Sequence, residues 1–514
     1  MSLPETRTMQ NARMILCALS LSVVACGPAL AQTGPARCVA PSLTDGGPVN
    51  SHTRNVETNL RPPVIRPGDQ PHTLAEAMRR YDVPGISVAV IHDGRIAWAR
   101  GWGVRDLTSC APVTPDTAFQ AASISKIVTA TVALRLVERG TIGLDRNINR
   151  SLHSWRLPED AKLAPDGVTL RELLSHTAGL SVHGFDHCYP PGAPLPTTVQ
   201  TLDGMPPAAN PPVRSILPAG AQFEYSGGGY MVTQLALSDV TGVPFAQLAQ
   251  TEMLGPLHMT RSGFAMPLSL AIRSDMAFGS AHGKAMPGNY CVFPQLAAAG
   301  LWASASDLAR LLIDLQASAA GKTGHRLSPG MTHAMMTPVK DNWGLGVALY
   351  RDGTPRFGHD GVNPGFESFM EAYRDRGDGI VVLTNGGDGR RLINEVVRAV
   401  ASDYGWPDMV VPASKEKPLS LAQLSKAAGH FEGSGLNIVL EARSEGLFAR
   451  FAGAPAATSE RLIPLSPRRF RSEALGITVE FSPDFASFTF IDGAPPMKVL
   501  RVNGAPPVAK SNGS

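Results

Sequence analysis

The chain reads as an α+β protein: one antiparallel sheet flanked by helices, with a helical insertion beside it, followed by a small all-β C-terminal domain. Three observations predict this. Strand-like apolar runs bounded by turn residues occur near residues 85–101 and again at 344–384. Between about 145 and 300 the signals are helices and long loops, so the first and last segments are expected to close one sheet around an insertion. Beyond about residue 419, short β runs alternate with turns, which suits a barrel or sandwich.

Each element has its local reason. Arg7 and Arg13 precede the apolar run 14–25, and Ala29-Leu30-Ala31 offers a cleavage site before Gln32. Residues 1–31 therefore read as a signal peptide for export to the periplasm or medium. A competing lipoprotein box, Val23-Val24-Ala25-Cys26, would instead leave a lipid-anchored Cys26. Residues 32–70 are rich in Pro, Gly, Ser and Asn and read as a poorly ordered leader.

Thr73-Leu-Ala-Glu76 is a capping box opening a helix that ends before Pro84. Residues 85–91 and 95–101, separated by Asp93-Gly94, form a hairpin. Residues 119–140 read as one helix, apolar nearly all round and stopped by Gly140. Residues 168–174, 230–240 and 306–315 are further helices, and 189–218 is a Pro-rich loop. Strands are expected at 344–350, 367–373 and 379–384, then a helix from Arg391 to about Ser402. A main α+β domain over 71–408, a linker at 409–418, a β domain at 419–506 and a tail at 507–514 complete the organisation.

Composition excludes several classes. The 46 basic and 43 acidic residues leave a charge of +3, which gives no footprint for nucleic acid or a membrane surface. No run beyond the N-terminus is long enough for a transmembrane segment. No dinucleotide or P-loop fingerprint and no Gly-x-Ser-x-Gly elbow is present, so a cofactor-free protein is expected. Cys38, Cys110, Cys188 and Cys291 remain after cleavage at Ala31; in an oxidising compartment four cysteines allow three pairings. His183, Asp186, His187 and Cys188 cluster like metal ligands, yet no His-Glu-x-x-His helix accompanies them, and no metal is assigned.

The chemistry centres on Ser123-Ile-Ser-Lys126. Three residues apart on a helix, both side chains share a face. A serine needs a base in reach, and a buried lysine can serve because burial disfavours its charged form. A second Ser-x-x-Lys, Ser414 to Lys417, sits in a charged, proline-bounded stretch and reads as surface linker. Three more stretches stand out: Phe223-Glu-Tyr225-Ser-Gly227-Gly-Gly-Tyr230, Gly358-His359-Asp360-Gly361-Val362, and Leu173-Leu-Ser-His-Thr-Ala-Gly-Leu180.

Taken in order with Ser123 and Lys126, these motifs closely resemble the serine β-lactamase and penicillin-binding-protein superfamily. The nearest part is similar to class C β-lactamases, D-amino-acid-releasing peptidases and β-lactamase-like esterases. The resemblance covers about 71–405, with weaker matches at Pro256-Leu-His-Met259, Gly300-Leu-Trp302 with Asp307, and Leu383-Thr-Asn385. It implies a β-lactamase-like fold and an acyl-enzyme on Ser123, with Lys126 and Tyr225 in the proton traffic and the N–H groups of Ser123 and Val362 as oxyanion hole. A phenol beside a buried ammonium is further expected to have its pKa lowered. The resemblance also places the loops of Cys188 and Cys291 near the site, which pairs them and leaves Cys38 with Cys110.

Two positions depart from the family pattern, both among the expected substrate-binding residues Gly227, His359, Asp360 and Gly361. Gly227 stands where the family often has Asn, and His359-Asp360-Gly361 stands where β-lactamases have Lys-Thr-Gly. The expected substrate is a small ester, amide or peptide, with carboxylic esters or small amides foremost. The alternatives are a β-lactamase, a D,D-peptidase or D-aminopeptidase, and a non-turnover penicillin-binding or scaffold protein. Any charge on His359, favoured by Asp360, is expected to appear below about pH 6.5.

Overall fold

The computed structural model describes residues 38, 47–62, 64, 69–158, 163–185, 187–351, 353–409, 416–433, 436–452, 459–473, 476–491 and 498–502. The expected signal peptide, Cys26, most of the expected linker including Ser414, and the tail lie outside them.

Helix α1 (Ser51–Thr58) is opened by a capping box on Asn50, and helix α2 (Leu74–Arg80) by the one on Thr73. The leader was expected to be poorly ordered, yet it carries α1, whose Val56 is buried with Leu60 in an apolar cluster. One buried valine in eight largely polar residues is too faint a period to announce a helix. Cys38 is bonded to Cys110, fastening the leader to the domain.

The hairpin is β1 (Gly85–His92) and β2 (Arg95–Gly103). Then come β3 (Phe119–Ala122), α3 (Ser125–Glu138), α4 (Leu170–Leu174) and α5 (Gly227–Thr241). Strand β4 (Leu301–Ala303) pairs with β3, and α6 (Ala305–Ala319) follows it. Strands β5 (Ala348–Tyr350), β6 (Arg356–Asn363), β7 (Phe366–Tyr373) and β8 (Gly379–Thr384) lead into α7 (Gly389–Tyr404).

The main sheet has the order β2-β1-β8-β7-β6-β5, antiparallel throughout. The first and last segments do close it, because β1 lies directly against β8. Period-two alternation divides the buried strands between two cores. Ala89 and Ile91 of β1 and Val381 and Leu383 of β8 face a cluster shared with α3, α5 and α6. Val88, Val90, Ile380 and Val382 face the cluster of α1, α2 and α7. Among the described residues no helix is long and apolar enough to cross a membrane.

Two expectations change. Residues 119–140 are not one helix: Phe119–Ala122 is a strand, Ala122 has a positive φ of 46°, and the helix starts at Ser125. A fully buried strand and a fully buried helix have the same apolar signature, so the boundary is invisible to periodicity. The strand expected at 344–350 is confined to Ala348–Tyr350.

The C-terminal part is a closed barrel. Helix α8 (Leu421–Ala427) precedes eight strands that run in chain order from β9 (Gly429–Gly433) to β16 (Lys498–Val502), and β9 pairs with β16. Phe431, Phe470, Phe481 and Phe488 fill it.

Candidate active site

Ser123 sits at the corner between β3 and α3. Ile124 N–H donates to Ala121 O at 3.1 Å and Lys126 N–H to Ser123 O at 3.0 Å, so the chain turns tightly just before the helix. The three-residue spacing then brings Lys126 Nζ to 3.0 Å from Ser123 Oγ. Every residue from Ser125 to Leu134 is buried, and Lys126 itself is 2% exposed. Its ammonium also donates to Ala298 O at 2.7 Å. Burial drives its pKa down to about 7, against a weaker opposing pull from Asp360. At neutral pH a large fraction is therefore free amine, which can keep a hydrogen on Ala298 O while its lone pair takes a proton from Ser123.

Tyr225 completes the corner from the loop ahead of α5. Its hydroxyl donates to Ser123 Oγ at 3.0 Å, and Lys126 Nζ lies 4.9 Å from its ring centre. The pKa expectation reverses here. Burial pushes the phenol's pKa up, and Asp360 adds to that. Near neutrality the neighbouring amine is itself losing its charge, so it cannot stabilise a phenolate. Tyr225 therefore stands as a protonated phenol, able to donate. His176 stacks on it with ring centres 4.2 Å apart, and His176 Nδ1 accepts the Ser226 N–H at 3.0 Å.

Strand β6 forms the opposite wall. A Cβ on Gly361 would lie 2.5 Å from Ala121 O and 2.8 Å from Ser123 N. Glycine is required there because two backbones touch, and that contact brings Val362 beside the serine corner. The Val362 side chain is 63% exposed and lines the same cleft as Ser123. His359 is 2% exposed, and its Nδ1 meets the Asp360 carbonyl at 2.5 Å. Burial lowers its pKa to about 4, outweighing the upward pull of Asp360. The expected onset of charge below pH 6.5 is thus corrected downward. Asp360 is ion-paired with Arg390 of α7, and burial of the histidine costs more than one partly neutralised carboxylate returns. The cleft between these walls has a volume of about 560 Å³.

The β-lactamase family model matches residues 72–402. This chain belongs to the β-lactamase family. It is 26% identical over 380 residues to penicillin-binding protein 4 of Amycolatopsis lactamdurans, covering 70% of this chain and 96% of that protein. It is 28% identical over 229 residues to the unguisins hydrolase of Aspergillus violaceofuscus, covering 42% of this chain and 37% of that protein. Among solved structures it resembles the octameric penicillin-binding protein homologue from Pyrococcus abyssi. The TM-score is 0.56 at 22% identity, covering 83% of this chain and 98% of that one.

In this β-lactamase-family hydrolase the departures from the family pattern have visible surroundings. A Cβ on Gly227 would lie 2.9 Å from Phe185 Cε2, so the ring occupies the space an amide side chain would need. Cys188 is bonded to Cys291, which removes its thiolate from the His183, Asp186, His187 cluster; Asp186 lies outside the described residues. Gln120 Nε2 donates to Cys291 O at 2.6 Å and Asn363 Nδ2 to Gln120 Oε1 at 2.9 Å, tying that disulfide to the end of β6.

Sequence reasoning missed Arg390, Trp343, Phe185 and the Gln120–Asn363 link. Asn363 and His176 lie within or beside the motifs already singled out. Arg390 and Trp343 carry no local signal, since only the packing of α7 and of the turn before β5 brings them near.

Proposed function

We propose that this hydrolase works through an acyl-enzyme on Ser123, with carboxylic esters or small amides as substrates. Lys126 takes the Oγ proton as Oγ bonds to the carbonyl carbon. The N–H groups of Ser123 and Val362 hold the oxyanion. As the bond to the leaving group breaks, Tyr225 gives its proton to that group and is reprotonated from Lys126. Water then attacks the ester on Ser123 by the reverse traffic and releases the acid.

The observation that carries this reading is the buried lysine with a pKa of about 7, 3.0 Å from Ser123 Oγ. A scaffold that is never acylated has no need to hold a lysine at that cost, and turnover of an ester separates a hydrolase from a binder that stops at the acyl-enzyme. Labelling by a fluorophosphonate, mapped to Ser123 and abolished in Ser123→Ala, together with turnover of p-nitrophenyl butyrate, tests it. Label found on Ser226 or on Ser414 would refute it.

A second reading, action on β-lactams or D,D-peptides, is favoured by the match to a penicillin-binding protein. The neutral His359 counts against it, because such substrates carry a carboxylate. Nitrocefin hydrolysed faster than short esters would reverse the order. Export is part of the proposal, with the mature chain starting at Gln32. The two disulfides support an oxidising compartment, and N-terminal sequencing that finds a lipidated Cys26 would replace secretion by anchoring.

A further inference from the structure

The wall where a family lysine would present a cation offers something different here. A backbone carbonyl can only accept, so the contact between His359 Nδ1 and the Asp360 carbonyl requires the proton on Nδ1. In the neutral ring Nε2 is then a bare lone pair, and it is buried with no hydrogen-bond partner. His359 is a lining residue of the cleft, and its depressed pKa keeps it neutral down to about pH 4. An acceptor left unsatisfied in a buried position costs free energy unless a ligand supplies a donor.

Two acidic residues, Glu224 and Asp360, line the same cleft, whereas Lys126 is the one lysine or arginine among its described lining residues. Arg390 offsets Asp360 from outside; among the described residues no cation is ion-paired with Glu224. The His359 ring lies 6.4 Å from the ring of Tyr225. Tyr225 is the group that protonates the departing atom in the reading above, so substituents of the leaving group fall beside His359.

We propose that His359 Nε2, with Glu224 and Asp360, forms a subsite for a hydrogen-bond donor of positive charge on the leaving group, so that the substrate class is esters or amides whose leaving group carries a primary ammonium. This rests on the acyl-enzyme reading for which end of the substrate faces His359. A carboxylate there would meet a lone pair, the Glu224 anion and an Asp360 already bound to Arg390.

The test compares four butyrate esters of phenols with similar leaving ability: 4-(aminomethyl)phenyl, 4-(trimethylammoniomethyl)phenyl, 4-(hydroxymethyl)phenyl and 4-(carboxymethyl)phenyl. The aminomethyl ester is expected to be fastest in kcat/KM. It should exceed the carboxymethyl ester by about tenfold or more, the scale of one charge-assisted hydrogen bond. Glu224→Gln should narrow that ratio, and His359→Lys should reverse it. A carboxymethyl ester as fast as the aminomethyl one overturns the subsite. A trimethylammonio ester as fast as the aminomethyl one overturns the role of the Nε2 acceptor, since that cation has no N–H. Calorimetric binding of the product phenols to the unmodified protein separates recognition from catalysis. If no ester turns over, the hydrolase reading fails, and tighter binding of 4-hydroxybenzylamine than of 4-hydroxyphenylacetate still upholds the subsite. The opposite order overturns it.

Discussion

The two walls of the cleft are built on different principles. The serine corner is local: Ser123 and Lys126 belong to one turn, and burial of α3 tunes the lysine. The β6 wall is assembled from distant parts. His359 and Asp360 depend on Arg390 from α7 and on the ring of Trp343, whose centre is 5.3 Å from that of His359. In the proposed mechanism the corner carries the acylating groups, while the wall presents a neutral ring. Chemistry would then rest on one local element and selectivity on side chains held by tertiary contacts.

The sharpest way to break this comparison is at the corner. Lys126→Ala should lower ester turnover by about 10²–10⁴-fold, the usual loss for a general base, with the circular dichroism spectrum unchanged. Retention of more than roughly a tenth of the activity would remove Lys126 from that role.

Next is the seam between the walls. Gly361→Val should cost on the order of 10²–10³-fold in kcat, the scale of one lost oxyanion donor. Its Cβ would stand 2.8 Å from Ser123 N and 2.5 Å from Ala121 O, so β6 must move away. Near-normal kcat with a raised KM alone would show that the two backbones need not touch for catalysis.

On the wall itself, the double change His359→Lys and Asp360→Thr should raise nitrocefin acylation relative to butyrate turnover by about tenfold to a hundredfold. An unchanged ratio would mean that the shape set by Phe185 at Gly227, and not charge, excludes β-lactams.

The pH profile separates the walls with a smaller effect. Lys126 acts as a base when neutral, so kcat/KM for a neutral ester should fall about tenfold per unit as pH drops below about 7. His359 should add no inflection until about pH 4. The smallest change expected is Arg390→Gln, with ester turnover altered less than about tenfold. Because Asp360 raises the His359 pKa and Arg390 and Lys126 lower it, the variant should move the His359 NMR titration upward. A downward shift would show that Asp360 had turned away from the ring.

Legible in the sequence alone were the order of elements, the hairpin at 85–101, the run of short C-terminal strands with barrel and sandwich both open, and the closeness of Ser123 to Lys126. These depend on periodicity, turn residues and a three-residue spacing, all written within a few residues of one another. It could not separate β3 from α3, since total burial erases the difference between their apolar patterns. It pointed the Tyr225 and His359 shifts toward their charged neighbours, whereas burial dominates both. Desolvation is the sum over every group packed around a side chain; Trp343 and Phe185 line the cleft while Arg390 and His176 pack behind its residues, from four separate parts of the chain. Tertiary packing sets that sum, and with it the neutral state of His359.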